Sequence, residues 1–489
     1  MSTSLLLIPV AIIYLLVVGS LYVYGINFYY LTFVAFTKGQ THHQATPTVT
    51  NWPAVTVQLP IYNEPYVARR VIEAAAAMDY PADCLEIQVL DDSTDETIAI
   101  IAQVVLELHK SGTNIHHVRR AERDGFKAGA LRDGLRTASG AFIAIFDADF
   151  IPSPTFLKRT VPYFNDHKIA FVQGRWDHIN RDYSPLTYFQ SLAIDGHFMI
   201  EQFGRSQGGY WFNFNGTAGI WRKAAIEEAG GWQPRTLTED LDLSYRAFLN
   251  GWHAVFVRNL NIPAEIPLTF SSYRRQQGRW ARGSLENAAI LIPKIWRSEF
   301  PFKLKVEATL HLTGYVVHLL LFALSVIYPL VLILSGQFPS LVSLFGLALI
   351  FNITALAPTL SFIVAQAQLK RPWWQMIPAI VFISVFGTGM MLNTVRAALE
   401  ALRKTDRQFQ RTPKFGVTSK GQSWRRSVYK LKLDPIVFWE IAFGLMNVVT
   451  CILAIQVQHW FIAFYTMIFA TGLFFNSSYT LYQSVYDRR

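Results

Sequence analysis

Residues 141–149 read AFIAIFDAD, an apolar run that ends in two carboxylates separated by one residue. The apolar part, Ala141 to Phe146, has the length and flanking residues of a buried β-strand. Alternate residues on an extended chain share a face, so Asp147 and Asp149 would reach one site if the strand continued through them. Ligands of open parallel sheets bind at the carboxyl ends of strands. The residues that follow this strand are therefore the first candidates for a site.

The same alternation of short strands and helices extends on both sides of this stretch, from about residue 50 to residue 300. Two further strands are predicted at residues 55–59 and 87–90. The clearest helical patterns lie at residues 67–77, 96–108 and 128–137. Strands that alternate with helices in this way predict a parallel-rich sheet covered by helices.

Long charge-free runs flank the α/β region. Residues 1–37 carry no charged side chain, and this length exceeds the roughly 20 residues that a helix needs to cross a bilayer. The run has no basic segment before its apolar part, which favours a retained helix over a cleaved signal peptide. Three later runs, 308–369, 373–395 and 441–486, are also free of Asp, Glu, Lys and Arg. The chain is therefore predicted to be a membrane protein.

The distribution of Lys and Arg predicts the topology. If every run spanned the membrane, the basic stretch 403–434 would lie outside, against the preference of Lys and Arg for the cytosolic side. Placing 373–402, which opens with a Trp pair, along the membrane interface brings all basic loops inside. One span then precedes the α/β region and four follow it. The N-terminus faces out and the soluble domain lies in the cytosol, at the plasma membrane.

The predicted domain order follows from these runs: a transmembrane helix at 1–37, a soluble domain at 50–285, an interface helix at 286–305, two transmembrane helices within 306–369, an interface segment at 373–402, a basic cytosolic loop at 403–434 and two transmembrane helices within 435–486. Two cysteines, Cys84 and Cys451, are too few for a disulfide framework and suit a reducing compartment for the soluble part.

Two more acidic groups occur in the soluble domain. Asp91 and Asp92 follow the second predicted strand, where the alternative is a cap for the helix starting near Asp95. Glu239 and Asp240 follow Thr238 and open an amphipathic helix, so a capping role for the Thr is the structural alternative. The functional interpretation makes Asp240 a general base that takes a proton from a hydroxyl group.

A cationic and aromatic group, Gln276 to Trp280, lies just ahead of the predicted interface helix. Arg279 has the geometry that suits bidentate contact with phosphate oxygens. Trp280 offers an apolar face on which a sugar ring could rest. The alternative is that both residues anchor an interface helix, and the two roles are compatible.

The Asp147–Asp149 pair is the candidate metal site, in which one carboxylate could bind the metal while the other serves a sugar or a structural partner. A divalent cation held by few carboxylates and by substrate phosphates suits Mg²⁺ or Mn²⁺. A D-x-D triplet is weak evidence when it stands alone. Its order and spacing relative to the other groups, beside predicted membrane spans, are more specific.

The chain resembles family 2 membrane glycosyltransferases, in the group of cellulose synthases and cellulose-synthase-like mannan and glucan synthases. The resemblance rests on the segments QLPIYNEP (58–65), GFKAGAL (125–131), VQGRW (172–176) and FNGTAG (214–219), together with the groups described above. FGVTSK (415–420) is similar to the cellulose synthase gating-loop motif, which lies in the cytosol over the active site. The resemblance implies a GT-A-type catalytic domain inserted in a bundle of transmembrane helices.

The resemblance also implies roles for single residues. The implied donor-binding positions are Tyr62, Glu64, Asp92, Lys127, Asp147 and Arg279. Asp149 resembles the metal ligand and Asp240 the catalytic base. Glu239, Gln276 and Trp280 correspond to acceptor-binding positions. Phe415, Val417, Thr418 and Lys420 correspond to the gating loop. A C-terminal regulatory domain, present in bacterial cellulose synthases, is not expected.

The activity implied by the resemblance is inverting, metal-dependent transfer of a hexose from UDP-glucose or GDP-mannose to a growing β-linked polysaccharide that passes through the protein's own channel. The main alternative is a non-processive transferase that adds one sugar to a membrane lipid. A transporter or receptor with an inactive sugar-nucleotide domain is a more distant alternative. The expected partners are the nucleotide sugar, a glycan acceptor and the lipid bilayer, with no nucleic acid.

Overall fold

The computed structural model describes residues 2–39, 51–337, 352–403, 412–418 and 433–486. Within these residues the α/β region contains one seven-stranded sheet. Its strands are β1 (Val55–Ile61), β2 (Leu85–Asp91), β3 (Ile115–Arg119), β4 (Phe142–Ile145), β5 (Ile169–His178), β6 (Gly219–Arg222) and β7 (His253–Ala264). The three strands predicted from the sequence correspond to β1, β2 and β4.

The sheet is mixed, with the strand order β3-β2-β1-β4-β6-β5-β7. Strands β3, β2, β1 and β4 run parallel to one another, as predicted. β6 is antiparallel to both β4 and β5, whereas β5 and β7 pair in parallel. The antiparallel strand was not predicted, because β6 has only four residues and its pairing is decided by distant strands.

Helices cover both faces of the sheet, and α1 (Ser2–Gly39) precedes it. The others are α2 (Ala68–Ala76), α3 (Thr97–Lys110), α4 (Phe126–Thr137), α5 (Phe156–Thr160), α6 (Pro185–Gly196), α7 (Phe203–Gln207), α8 (Lys223–Glu228) and α9 (Glu239–Leu249). A π-helix, His197–Gln202, joins α6 to α7, and short 3-10 turns lie at Ala82–Cys84, Val161–Asn165 and Arg181–Tyr183. Two separate apolar clusters fill the space between the sheet and these helices, so both faces of the sheet are buried.

The remaining helices follow the sheet: α10 (Phe270–Arg297), α11 (Phe302–Leu312), α12 (Val316–Gln337), α13 (Ala357–Gln368), α14 (Trp373–Thr388), α15 (Met391–Arg403), α16 (Ile436–Gln456) and α17 (Trp460–Tyr486), with a 3-10 turn at Asn352–Leu356. α10 runs without a break across residue 285, where the sequence placed a domain boundary. The Gln276–Trp280 group and the predicted interface helix therefore belong to one element.

Five helical segments in the described residues are long and apolar enough to cross a membrane: Pro9–Gly39, Val316–Ile333, Trp373–Arg403, Ile436–Gln456 and Trp460–Ser484. One of them precedes the sheet and four follow it. They differ from the predicted spans, because Ile353–Gln368 is too short to count among them and Trp373–Arg403 qualifies by length and composition. The structure divides the latter into α14, which packs against α13 and α17, and α15, which packs against α10. The interfacial placement of 373–402 stays a prediction.

Buried polar contacts join the α/β domain to the apolar helices. Asp195 of α6 accepts hydrogen bonds from His178, Gln366 and Arg371, so it links β5 to the chain that follows α13. These partners hold the pKa of the Asp195 carboxyl well below its usual value, although burial acts in the opposite direction. Arg258 of β7 makes similar links to Gln368 and to the carbonyl of Gly39. The orientation of the domain on the helices is therefore held by specific contacts.

Arg274 of α10 forms the most deeply buried of the described ion pairs with the late helices. Both of its contacts with Glu440 of α16 start from Nη2, at 2.7 Å to Oε1 and 2.9 Å to Oε2, and both side chains are 1% exposed. Removing one partner of such a pair leaves an uncompensated buried charge. α10 carries the Gln276–Trp280 group, so this pair also positions a part of the candidate site.

Arg274→Met is expected to destabilise the protein by about 3–5 kcal/mol, because it leaves Glu440 buried without its cation. Arg274→Met/Glu440→Met removes both charges and should recover most of this loss. Thermal unfolding of the purified protein in detergent, followed by tryptophan fluorescence, measures both effects. A double variant that is no more stable than the single variant would contradict the expectation.

Candidate active site

A cavity of about 160 Å³ lies at the carboxyl edge of β1, β2 and β4. It brings together eleven residues that the sequence selected: Tyr62, Glu64, Asp92, Lys127, Asp147, Asp149, Glu239, Asp240, Gln276, Arg279 and Trp280. These residues are spread over more than 200 positions of the chain. Those that follow strands converge because strand ends from one edge of a sheet lie together. Their individual roles stay predictions.

The two carboxylates of the D-x-D triplet reach the cavity from a turn, which corrects the expectation of a continuing strand. β4 ends at Ile145, and the N–H of Phe150 donates to the carbonyl of Asp147 at 3.0 Å. The N–H of Asp147 donates to Thr217 Oγ1 at 2.9 Å, so the turn is held against the chain before β6. A turn brings the i and i+2 side chains into the same pocket without the alternation of a strand.

Asp147 belongs to a charged cluster with Lys127. Lys127 Nζ lies 2.6 Å from Asp147 Oδ1 and donates to the carbonyl of Gly216 at 2.9 Å. Burial lowers the pKa of Lys127, but the charges of Asp147 and Glu239 outweigh this effect and leave the pKa above its usual value. Gly216 has a φ of +77°, and a Cβ there would lie 3.0 Å from Asp240 Oδ2. Glycine therefore allows the three charged side chains to approach one another.

Asp240 lies in the first turn of α9 and faces the cavity. Burial and the neighbouring Glu239 charge raise the pKa of Asp240 to about 7, against the opposing effect of the Lys127 ammonium. Thr238 makes no capping hydrogen bond to the helix, and its Oγ1 accepts from Asn287 of α10 instead. A carboxylate with a pKa near neutrality is suited to accept a proton from a hydroxyl group.

Asp92 faces the cavity, whereas Asp91 is a structural residue. Asp91 is fully buried and bonds His117 and the N–H of Ser93. Asp92 receives two hydrogen bonds from Arg120, at 2.7 and 2.6 Å. Asp95, and not Asp92, contacts the start of the helix that follows, because its Oδ1 accepts from the N–H of Thr97.

Tyr62 lies beside Asp92 at the same end of the cavity. The guanidinium carbon of Arg123 is 3.4 Å from the centroid of the Tyr62 ring, which is a close cation–π contact. Asp92 Oδ2 is 3.8 Å from Arg123 Nε. Aromatic, acidic and guanidinium groups together provide stacking, accepting and donating contacts of the kind that recognise a nucleobase.

Two tryptophans form the opposite wall of the cavity. Trp280 of α10 and Trp176 of β5 lie with their ring centroids 6.3 Å apart. Gln276 and Arg279 lie on the same helix as Trp280 and also line the cavity. Apolar ring faces beside polar side chains are suited to hold a sugar.

The described part of the predicted gating loop lies against this site. Phe415 and Val417 pack with Leu268 in a small apolar cluster, and Thr412 and Lys414 line the cavity. Thr418 is the last described residue of the segment, and Lys420 lies outside the described residues. The position of 412–418 agrees with the expectation that the loop covers the active site.

A second cavity of about 460 Å³ begins at the same residues and extends between the apolar helices. It shares Trp176, Asp240, Gln276 and Trp280 with the first cavity. Farther along it is lined by residues of α1 and of the helices after the sheet, including Tyr24, His311, Tyr315, His318 and Phe386. His311 and His318, two polar residues in the apolar part of the chain, face this cavity, whereas the side-chain amide of Asn393 donates to the carbonyl of Arg274.

The residues at the D-x-D turn fit a hard divalent cation. Asp147 and Asp149 supply carboxylate oxygens, which Mg²⁺ and Mn²⁺ prefer. No group of three or more His, Cys, Asp or Glu that could enclose a metal occurs in the described parts of the chain. The set therefore suits a cation that takes most of its ligands from a diphosphate and water.

Among the residues at the site that were not selected from the sequence are Arg120, Arg123, Glu265 and Lys414. Arg120 and Arg123 lie in a loop after β3, and no spacing relates them to Asp92 or Tyr62. Glu265 follows β7 directly, so the rule that sites form at the carboxyl ends of strands would have indicated it. Lys414 precedes the gating-loop motif by one residue, and only the contact described below indicates its importance.

The comparisons with known proteins agree with this geometry. Residues 53–283 match the profile of the family described as glycosyltransferase like family 2. The fold is also that of the mannosyltransferase PcManGT from Pyrobaculum calidifontis, with a TM-score of 0.52 and 19% identity over 81% of this chain and 100% of the other. The α/β domain is therefore similar to family 2 glycosyltransferase domains and has a GT-A-like mixed sheet.

Curated plant proteins are similar to this domain. It is 44% identical over 254 residues to glucomannan 4-beta-mannosyltransferase 2 of Arabidopsis thaliana, covering 51% of this chain and 48% of the relative. It is 43% identical over 238 residues to glucomannan 4-beta-mannosyltransferase 1 of Oryza sativa subsp. japonica, covering 47% and 46%. The chain spans about half the length of the curated relatives it matches. These similarities support, for the α/β domain, the resemblance that the motifs predicted.

Proposed function

We propose that this protein transfers mannosyl residues from a nucleotide-activated donor to the end of a β-linked mannan or glucomannan, with inversion at the anomeric carbon. The observation that carries the proposal is the position of Asp240. Its carboxylate lies where the donor-side cavity meets the long cavity between the apolar helices. An acceptor that enters from the second cavity would present its terminal hydroxyl to Asp240 beside a donor in the first.

The proposed sugar and donor rest on the relatives. The plant proteins similar to the catalytic domain are named for 4-β-mannosyl transfer to glucomannan. PcManGT, which shares the fold, is described in complex with GDP-mannose and Mn²⁺. GDP-mannose is therefore the first donor to test, and UDP-glucose is the second.

The proposed reaction is a direct displacement. The acceptor oxygen bonds to the anomeric carbon, the bond to the diphosphate oxygen breaks, and the acceptor proton moves to Asp240. Arg279, which lines the cavity, offsets charge on the departing diphosphate. A divalent cation bound at Asp149 would supply Lewis-acid stabilisation of the same charge. Direct attack inverts the anomeric configuration, which agrees with a β-linked product from an α-linked donor.

We further propose that the second cavity receives the growing polymer. Its wall combines ring faces, such as Trp280, Tyr315 and Phe386, with polar groups, as glycan-binding surfaces do. It extends from the catalytic base into the helices that are long enough to cross a membrane. The orientation with the domain on the cytosolic side follows from the basic stretch 403–434.

The test is transfer by the purified full-length chain in detergent, with radiolabelled GDP-mannose and UDP-glucose in parallel and with Mg²⁺ and Mn²⁺. Label in a polymer that β-mannanase digests supports the proposal. Label only in the organic phase would replace it with the glycolipid transferase. Absence of transfer and of donor hydrolysis with both donors would overturn it.

The pKa of Asp240 sets an expected pH dependence. A base must be deprotonated, so kcat/KM should rise about tenfold per pH unit below pH 7 and level off above it. The Glu239 charge contributes to the raised pKa, so Glu239→Gln should move the midpoint of the profile to lower pH. Initial rates between pH 5.5 and 8.5 measure both midpoints. A Glu239→Gln profile with an unchanged midpoint would contradict this assignment.

A further inference from the structure

The segment 412–418 is held against the donor side of the cavity by Glu265. The carboxylate of Glu265 accepts from the N–H groups of Phe415 and Gly416, at 2.8 and 2.9 Å. Gly416 has a φ of +68°, and a Cβ there would lie 3.0 Å from the carbonyl oxygen of Tyr66. The backbone at Phe415 and Gly416 is therefore bonded to Glu265 and packed against Tyr66. These contacts fix the position of the neighbouring Lys414.

This placement brings Lys414 to Asp149. Lys414 Nζ lies 2.6 Å from Asp149 Oδ2, and the two side chains are 13% and 4% exposed. Water screens a pair at this depth much less than a surface pair. At this distance Lys414 donates a charge-assisted hydrogen bond to the Asp149 carboxylate.

A metal ion at Asp149 would meet this ammonium. Mg²⁺ or Mn²⁺ binds a carboxylate oxygen at about 2.1 Å. An ammonium 2.6 Å from the same carboxylate would then lie within a few ångströms of a doubly charged ion, where like charges repel strongly in a buried site. The two cations cannot both occupy the carboxylate at low free energy.

We propose that Lys414 is a donor-site positioning residue that competes with the divalent cation for Asp149, so that binding of the cation releases Lys414 from its contact. The inference rests on the metal-ligand role proposed for Asp149. Coupling between two sites is reciprocal. If Lys414 weakens binding of the cation by some factor, then bound cation weakens the attachment of 412–418 by the same factor. The attachment of the segment would therefore depend on whether the cation is bound at the donor site.

The first test measures binding of Mn²⁺ alone to the full-length protein in detergent, by electron paramagnetic resonance. Lys414→Met is expected to lower the Kd about tenfold, which lies within the usual range of coupling between sites. Lys414→Arg keeps the charge and should retain the wild-type Kd. Lys158→Met is the matched control, because Lys158 Nζ also lies 2.6 Å from a carboxylate, that of Asp79, on the surface. An unchanged Kd in Lys414→Met would overturn the inference.

The second test follows amide hydrogen exchange in peptides that contain Phe415 and Gly416. Mn²⁺ with GDP should speed exchange in the wild type. In Lys414→Met, exchange should be fast already and should not respond to Mn²⁺ with GDP. Glu265→Gln serves as a second variant that weakens the same amide bonds while Lys414 is retained, and without Mn²⁺ its exchange should be faster than that of the wild type. Wild-type exchange that does not respond to Mn²⁺ and GDP would overturn the inference.

The outcomes separate this inference from the proposed function. Mannan synthesis with a Kd for Mn²⁺ that does not depend on residue 414 would reject the role of Lys414 and leave the proposed function in place. A Kd that depends on residue 414 in a protein that transfers no sugar would reject the proposed function and leave the competition in place.

Discussion

Asp240→Asn is expected to lower kcat for mannosyl transfer by about 10²- to 10⁴-fold, the range that a general base contributes. Asparagine has the shape of aspartate, but its amide cannot take the acceptor proton. The fold should be preserved, because the Asp240 oxygen that accepts from the N–H of Leu241 is retained as the amide oxygen. Donor binding should change little, since the base acts on the acceptor.

The measurement is radiolabel incorporation from GDP-mannose, with donor affinity determined separately by calorimetry. Asp83→Asn, on an exposed turn before β2, is the control for loss of one carboxylate and should retain full activity. An Asp240→Asn protein with wild-type turnover would reject the assignment of the base. A large loss of donor affinity with unchanged kcat would instead assign Asp240 to the donor site.

Asp149→Asn is the second substitution for which we expect a large loss of kcat/KM. It removes the charged oxygen proposed to bind the cation, and Lewis-acid stabilisation of a departing diphosphate is worth several kcal/mol, so kcat/KM should fall by about 10³-fold. The variant should also bind Mn²⁺ more weakly in the presence of GDP. Lys414 would lose its carboxylate partner, so Lys414→Met in this background should cause no further change in the Kd of Mn²⁺.

The matched control for this variant is Asp79→Asn, which removes the carboxylate of the surface pair with Lys158. Activity should be unchanged there, because exposed pairs contribute little. Transfer by Asp149→Asn that matches the wild type would show that the cation is not bound through Asp149. Wild-type transfer that persists with EDTA would show that no cation is bound there during the reaction.

Much of the site could be predicted because its residues follow a local rule. Asp92 and Asp147 come after β2 and β4, and parallel neighbours bring such strand ends to one edge. The helix that starts at Glu239 was also visible from its periodicity, so Asp240 could be placed at its first turn. The resemblance to cellulose synthases added positions, such as Lys127, that no periodicity would have selected.

Other parts of the site depend on contacts between distant segments. Arg120 reaches Asp92 across 28 residues, and Lys414 reaches Asp149 across 265. The antiparallel placement of β6 positions Gly216 between Lys127 and Asp240. No local pattern encodes these pairings, because side chains of matching charge occur throughout the sequence and packing alone decides which of them meet.

The amino-acid sequence by itself determined the class of the chain, an α/β domain joined to apolar helices. Strand and helix periodicities and charge-free runs are local features, because they depend on backbone geometry and hydropathy. The motifs that follow strands are also visible locally. The sequence also indicated most of the residues that line the candidate site. Only the tertiary structure decided that the D-x-D pair sits in a turn, that Asp240 lies where two cavities meet, and that Lys414 contacts Asp149. Each of these depends on the relative position of elements far apart in the chain, which burial of their shared apolar surfaces sets.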